Sequence, residues 1–162
     1  MEHTPIACSH HDHNHCIQDA LEAARDLCLS RGVRLTDLRL QVLELIWQNH
    51  KPLGAYTLME MLAKASTRRV APPTVYRALD FLLEQGLIHR INVLNAFIGC
   101  PSPGTRHQSY FLICRACNIA IELDEPTLGQ QILAVAGEAG FRVETQALEV
   151  SGLCANCAGA NV

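Results

Sequence analysis

The sequence predicts an α+β fold in two parts, and three observations predict it. Residues 17–92 carry four successive apolar stripes at helical spacing, then one short alternating run. From residue 93 onward the pattern changes to short β-type runs around a single helical stripe. Two C-x-x-C pairs, Cys114-Arg-Ala-Cys117 and Cys154-Ala-Asn-Cys157, bracket that second part. The expected organisation is a His-rich flexible tail over 1–16, one domain over 17–92 and another over 93–162.

The tail holds His3, Cys8, His10, His11, His13, His15 and Cys16 among small polar residues. This composition suits loose metal binding, and equally a disordered terminus. In the first helix, Ile17, Ala20, Leu21, Ala24, Leu27 and Cys28 share one face, and Gly32 suits its stop. Cys28 on that stripe reads as a core thiol. Thr36 is placed to N-cap the second helix, with Leu35 and Leu40 as a hydrophobic staple. Its apolar residues are Leu38, Val42, Leu43, Ile46 and Trp47, and it ends near Asn49.

A third helix runs from about Tyr56 to Ala65, with Leu58, Met61, Leu62 and Ala65 inward and Thr57 as a candidate cap. The basic connection Thr67-Arg68-Arg69-Val70-Ala71 leads to a fourth helix at Pro72-Pro73-Thr74. Proline costs little there, because the first helical N–H groups have no intrahelical partner. Val75, Leu79, Leu82 and Leu83 form its stripe, and Gly86 ends it. Residues 87–91 alternate like a strand and 96–100 read as its partner. This order is that of a winged helix-turn-helix. In the second part, 110–114, 119–123 and 141–150 read as strands. The helix from about Thr127 to Ala139 directs Leu128, Ile132, Leu133, Val135 and Ala136 inward. A small α/β domain with a mostly antiparallel sheet results.

The chain has 162 residues, 49% hydrophobic and 18% charged, which is a globular composition. No apolar stretch is long enough to span a bilayer, and the N-terminus lacks the apolar core of a signal peptide. Eight cysteines without a secretion signal suggest a reducing, cytoplasmic setting and metal binding rather than disulfides. Net charge is -3, so bulk charge announces no nucleic acid. Residues 17–92, however, carry ten Lys/Arg against eight Asp/Glu, while 93–162 carry three against six. Any nucleic acid would therefore be held by the first part, through local basic patches.

Cys114, Cys117, Cys154 and Cys157 offer four thiolates from two tight turns, the set of a tetrahedral structural zinc. A disulfide pair and a redox motif are the other readings of C-x-x-C. The redox motif lacks its βαβ context. A zinc deaminase would need H-x-E with P-C-x-x-C, and neither half is complete. The chain does not read as an enzyme.

On the fourth helix, Thr74, Tyr76, Arg77 and Asp80 lie off the apolar stripe near the N-terminal end, the end a recognition helix presents to base edges. Arg77 suits a bidentate contact to guanine, and Tyr76 or Thr74 a phosphate or a thymine methyl. Arg34, Arg39, Arg68 and Arg69 would meet the DNA backbone. A solvated helix face and a protein-binding surface are the alternatives.

The run from Pro73 to Ile88, Pro-Thr-Val-Tyr-Arg-Ala-Leu-Asp-Phe-Leu-Leu-Glu-Gln-Gly-Leu-Ile, resembles the recognition-helix signature of the ferric uptake regulator family. Arg34-Leu35-Thr36-Asp37-Leu38-Arg39 resembles its R-x-T-x-x-R stretch. With the cysteine pairs, the likeness covers about residues 17–157. It implies a dimeric, metal-dependent transcriptional repressor with an N-terminal winged helix and a C-terminal dimerisation domain. By position, Tyr56 and Arg77 resemble the family's base-contacting pair.

A four-thiolate site holds zinc too tightly to follow small changes in free metal, so sensing needs a weaker site. His50, His89, Cys100, His107 and nearby acids are the remaining ligand types. His89, Cys100, His107 and Glu122 supply two imidazoles, a thiolate and a carboxylate, a tetrahedral zinc set. By position they resemble the regulatory site of the family's zinc-uptake branch. Iron- and peroxide-sensing members carry an H-H-x-H-type run before the first C-x-x-C. Here Arg106-His107-Gln108-Ser109 has one histidine, and a thiolate at Cys100 favours zinc over iron(II). The expectation is a zinc-loaded homodimer, with two Zn2+ per subunit, that binds a palindromic operator in double-stranded DNA and represses zinc uptake genes. No membrane and no small-molecule substrate other than zinc ion are expected. An iron- or peroxide-sensing regulator is the alternative.

Overall fold

The computed structural model describes residues 13–49, 51–65, 70–105, 109–123 and 125–159. Two compact units emerge, one running through Thr105 and the other starting, among the described residues, at Ser109. The first holds α1 (His13–Ser30), α2 (Asp37–Trp47), β1 (Leu53–Gly54), α3 (Ala55–Ala65), α4 (Pro72–Glu84), β2 (Ile88–Ile91) and β3 (Ala96–Gly99). The second holds β4 (Tyr110–Cys114), β5 (Ala120–Leu123), α5 (Pro126–Glu138), β6 (Leu148–Gly152) and α6 (Ala155–Ala158). Strand β3 is hydrogen-bonded between β1 and β2, so a boundary at 92/93 would cut through one sheet. Among the described residues, no helix is long and apolar enough to cross a membrane.

The apolar stripes of the first unit converge on one core. Leu21, Ala24 and Cys28 of α1 meet Val42, Leu43 and Ile46 of α2, Leu58 and Leu62 of α3, and Val75, Leu79 and Leu82 of α4. Ile88 and Phe97 close it from the sheet. Cys28 is a core thiol as its stripe implies, and burial pushes its pKa up. Thr36 caps α2 by accepting from the Arg39 N–H at 3.4 Å. Gly86 ends α4 at φ +69, a left-handed conformation that costs glycine no Cβ clash, and Leu87 N–H returns to Leu82 C=O at 2.9 Å. That turn directs the chain into β2.

Two local expectations change. Residues 1–12 of the expected tail lie outside the described residues, but His13–Cys16 belong to α1. His15 Nδ1 lies 3.2 Å from Asp19 Oδ1 one turn on, an i,i+4 link that extends the helix. Thr57 lies inside α3 rather than capping it, because β1 runs directly into the helix at Ala55.

In the second unit the sheet order is β5-β4-β6. β5 pairs antiparallel with β4, but β6 pairs parallel to it, so the sheet is mixed rather than mostly antiparallel. The strand expected over 141–150 is shorter and later. Gln146 uses its side chain instead, accepting from Tyr110 Oη at 2.6 Å and donating to Gly129 C=O at 3.4 Å. Helix α5 buries only Gly129 fully; Leu133 stays 45% exposed and Val135 66%. The sheet also keeps an apolar face open. Leu112, Ile121, Val150 and Leu153 line a shallow recess of about 150 Å³ there.

Candidate metal centre and nucleic-acid interface

Each C-x-x-C pair is shaped by the turn that carries it. Cys114 ends β4, its N–H bonded to Ile119 C=O at 2.9 Å, while Asn118 at φ +58 donates back to Cys114 C=O at 2.8 Å. Arg115 N–H reaches Gly152 C=O at 2.9 Å, which ties this turn to the end of β6. Cys154 stands at the N-cap of α6, and Cys157 N–H bonds to its carbonyl at 3.0 Å. The parallel β4–β6 pairing therefore delivers the two turns side by side. All four Sγ atoms lie within 4.8 Å of one another. Cys117 Sγ lies 3.8 Å from Cys154 Sγ. Four Zn–S bonds of about 2.3 Å in a tetrahedron require S···S separations of about 3.8 Å, so the set fits zinc.

The electrostatics agree. Backbone N–H groups of Cys154 and then Cys117 favour the Cys114 thiolate and lower its pKa to about 6, against burial. Cys157, held in hydrogen bonds to Cys154, Cys117 and Cys114, is pushed up to about 12. Cys114 ionises while Cys157 keeps its proton, and a divalent cation in the cluster would let the remaining thiols ionise as well.

The interface residues sit on the first unit. On α4, Val75, Ala78, Leu79, Phe81 and Leu82 face the core, so Thr74, Tyr76 and Arg77 are exposed. At the start of α4, Pro72 and Pro73 lack N–H groups, and the Thr74 and Val75 N–H groups both bond to Ala71 C=O, so any contact to a ligand falls to the side chains. Tyr56, near the start of α3, is 77% exposed between buried Ala55 and Leu58. Arg34 is exposed. Arg39 is different: half-buried, its guanidinium lies 3.6 Å from the Phe81 ring centroid, and its Nη1 donates to Arg34 C=O. Arg68, Arg69 and His50 lie outside the described residues.

The mixed ligand set divides between the units. In the first, His89 pairs opposite Ile98, and Cys100 N–H bonds to Leu87 C=O at 3.0 Å. His89, Ile98 and Cys100 therefore share one sheet face, while Ile88, Phe97 and Gly99 share the other. Cys100 is 2% exposed and His89 half-buried. In the second unit Glu122 stands opposite Phe111 on β5. Ser109 Oγ donates to Glu122 Oε1 at 2.7 Å, and Oε2 is closed off from water. Ser109 thus orients a carboxylate, a role the sequence pattern did not disclose; only the β4–β5 register reveals it. His107 lies outside the described residues.

Residues 30–151 match the ferric uptake regulator family. The chain belongs to the ferric uptake regulator family. The zinc uptake regulation protein of Escherichia coli (strain K12) is 37% identical over 141 residues, covering 86% of this chain and 82% of its own. The crystal structure of holo XcZur superposes with a TM-score of 0.79 at 43% identity, covering 87% of this chain and 98% of its own. A zinc uptake regulator complexed with zinc and DNA superposes at 0.82 with 36% identity, covering 89% and 96%. In the first unit, the helices followed by the antiparallel β2–β3 pair keep the winged-helix order.

Proposed function

We propose that this family member is a zinc-responsive, DNA-binding transcriptional regulator that acts as a homodimer in the cytoplasm and represses zinc uptake genes. The observation that carries the reading is the likeness, over nearly the whole chain, to a zinc uptake regulator complexed with zinc and DNA. The four-thiolate cluster and the thiolate–imidazole pair on the wing support zinc over iron(II), a harder ion.

Two zinc ions per subunit have separate roles. Cys114, Cys117, Cys154 and Cys157 hold the structural ion, all from one unit. His89 and Cys100 from the wing, with His107 and Glu122 from the second unit, hold the regulatory ion. Bound there, the ion would supply the Lewis-acid charge that draws those ligands together. Those ligands then hold the recognition helices at the spacing of a palindromic operator. Without that tie the competent arrangement is a minor population, and apparent operator affinity falls by that fraction. Tyr56 and Arg77 read bases, Tyr76 and Thr74 support them, and Arg34 meets phosphate. The apolar faces at Leu133, Val135, Leu112 and Val150 are what a second copy covers.

The test titrates a fluorescent operator with the full-length protein at buffered free zinc or, anaerobically, iron(II). Zinc should drive binding and iron(II) should not, and Cys100→Ser should lose the zinc response while remaining a folded dimer. Operator binding driven by iron(II) and indifferent to zinc would overturn the reading.

A further inference from the structure

Trp47, the only tryptophan of the chain, ends α2 and is half-buried. Its ring lies against the backbone of Gly99 in β3. A Cβ at position 99 would come within 2.4 Å of Trp47 Cε2, 2.6 Å of Nε1 and 2.8 Å of Cζ2. No side chain fits at such distances, so the contact exists only because residue 99 is glycine. The next residue, Cys100, immediately follows β3, and its side chain lies on the opposite sheet face together with His89. The ring therefore fills the space between α2 and the face of β3 that looks toward the helices. The height of β3 above α2 is set by the thickness of that ring, and the positions of Cys100 and His89 follow from it.

We propose that Trp47 is a positioning residue for regulatory zinc. Its ring, seated at Gly99, holds the strand at the height that places Cys100 and His89 for the ion, and so sets the zinc concentration at which the protein responds. This rests on the assignment of Cys100 and His89 to the regulatory ion. A rigid indole in a well-packed notch does not yield to an added methyl group, so Gly99→Ala must lift the strand or turn the ring.

The experiment uses full-length dimer and records operator binding against buffered free zinc, with Trp47 emission as a second readout. Gly99→Ala should raise the free zinc for half-maximal binding about tenfold, equivalent to about 1.4 kcal/mol. Affinity at saturating zinc should be retained, and emission should shift to the red as the ring leaves its seat. Trp47→Phe, which keeps a ring, should respond within about threefold of the parent, a difference of under about 1 kcal/mol. In a Trp47→Ala background, Gly99→Ala should add no further shift, because the clash is gone. That arm also serves if Gly99→Ala alone does not fold. An unchanged zinc midpoint in Gly99→Ala, or a penalty that persists in the Trp47→Ala background, would overturn the proposal. A Cys100→Ser protein with a normal zinc response would instead sink the underlying ligand assignment, which separates the two failures.

Discussion

Arg39 was expected to meet the DNA backbone, yet the fold already occupies its guanidinium. The head lies 3.6 Å from the Phe81 centroid and donates to Arg34 C=O, while the Arg39 N–H is capped by Thr36. Phe81 is on α4, so Arg39 ties α2 and the stretch before it to the recognition helix. Arg39→Ala removes a partly buried cation–π contact of about 1 kcal/mol. It also removes a charge-assisted hydrogen bond, of which about 1 kcal/mol survives partial exposure. The first unit should therefore lose about 2 kcal/mol, lowering its urea midpoint by about 1 M for a typical slope. Trp47 emission reads that unit specifically, because the single tryptophan lies in α2. Phe81→Leu should cost about 1 kcal/mol of the same coupling, so the double variant should lose about 1 kcal/mol less than the sum. A phosphate contact behaves differently. Its loss would leave the midpoint unchanged and reduce the salt slope of operator binding by about 0.9 per subunit. That pair of results, a normal midpoint with a shallower salt slope, would refute the scaffold role.

Further outcomes follow from the second unit. Cys154→Ala should remove one zinc per subunit by metal analysis and lower the second unit's thermal midpoint, since a structural zinc contributes folding free energy. Loading only the four-cysteine site, in a protein whose His89 and His107 are both replaced by Gln, should release about one proton more at pH 5 than at pH 7.5, because Cys114, lowered to about 6, is protonated at the first and ionised at the second. Calorimetry in buffers of different ionisation enthalpy counts those protons, and equal counts would contradict the assigned order of ionisation. In the metal-free fold, Cys114 ionises more readily than in the unfolded chain. Its contribution to stability is present above 9.0, the thiol's ordinary value, and lost as pH falls through about 6. Leu112→Asp places a carboxylate on the open apolar face and should convert the dimer to monomer in light scattering, with operator affinity falling in parallel.

The first unit was legible because its signals are local. Helical spacing, the Thr36 cap, the Pro72 start and the Gly86 stop each act within a turn of the residue that carries them. The second unit was less so. Parallel pairing of β6 with β4 joins segments separated by a helix, and nothing within 141–150 encodes it. The period of α5 announced residues that need covering but not which chain covers them, and Leu133 and Val135 remain exposed in one copy. The same division holds for the sites. Four cysteines on two tight turns were readable from spacing. Ser109 beside Glu122, Arg39 over Phe81 and Trp47 against Gly99 depend on register and packing between distant segments.

The two zinc sets differ in a way that decides which one can sense. Cys114, Cys117, Cys154 and Cys157 all belong to one unit, and hydrogen bonds from Arg115 to Gly152 and within the α6 turn hold them together. Nothing must move for those sulfurs to converge, so their affinity is spent on folding the unit and stays high at any free zinc the cell offers. His89 and Cys100 belong to one unit and Glu122 to the other. On the proposed assignment, an ion that drew on both sets would gain its last ligands only by ordering the chain between them, and that cost would lower its affinity. The same cost is what operator DNA also meets when it selects one arrangement of the readers. On that reading zinc and operator would draw on a common conformational equilibrium, and each would tighten the other by the same factor. A regulatory site confined to one unit would bind zinc more tightly and report nothing.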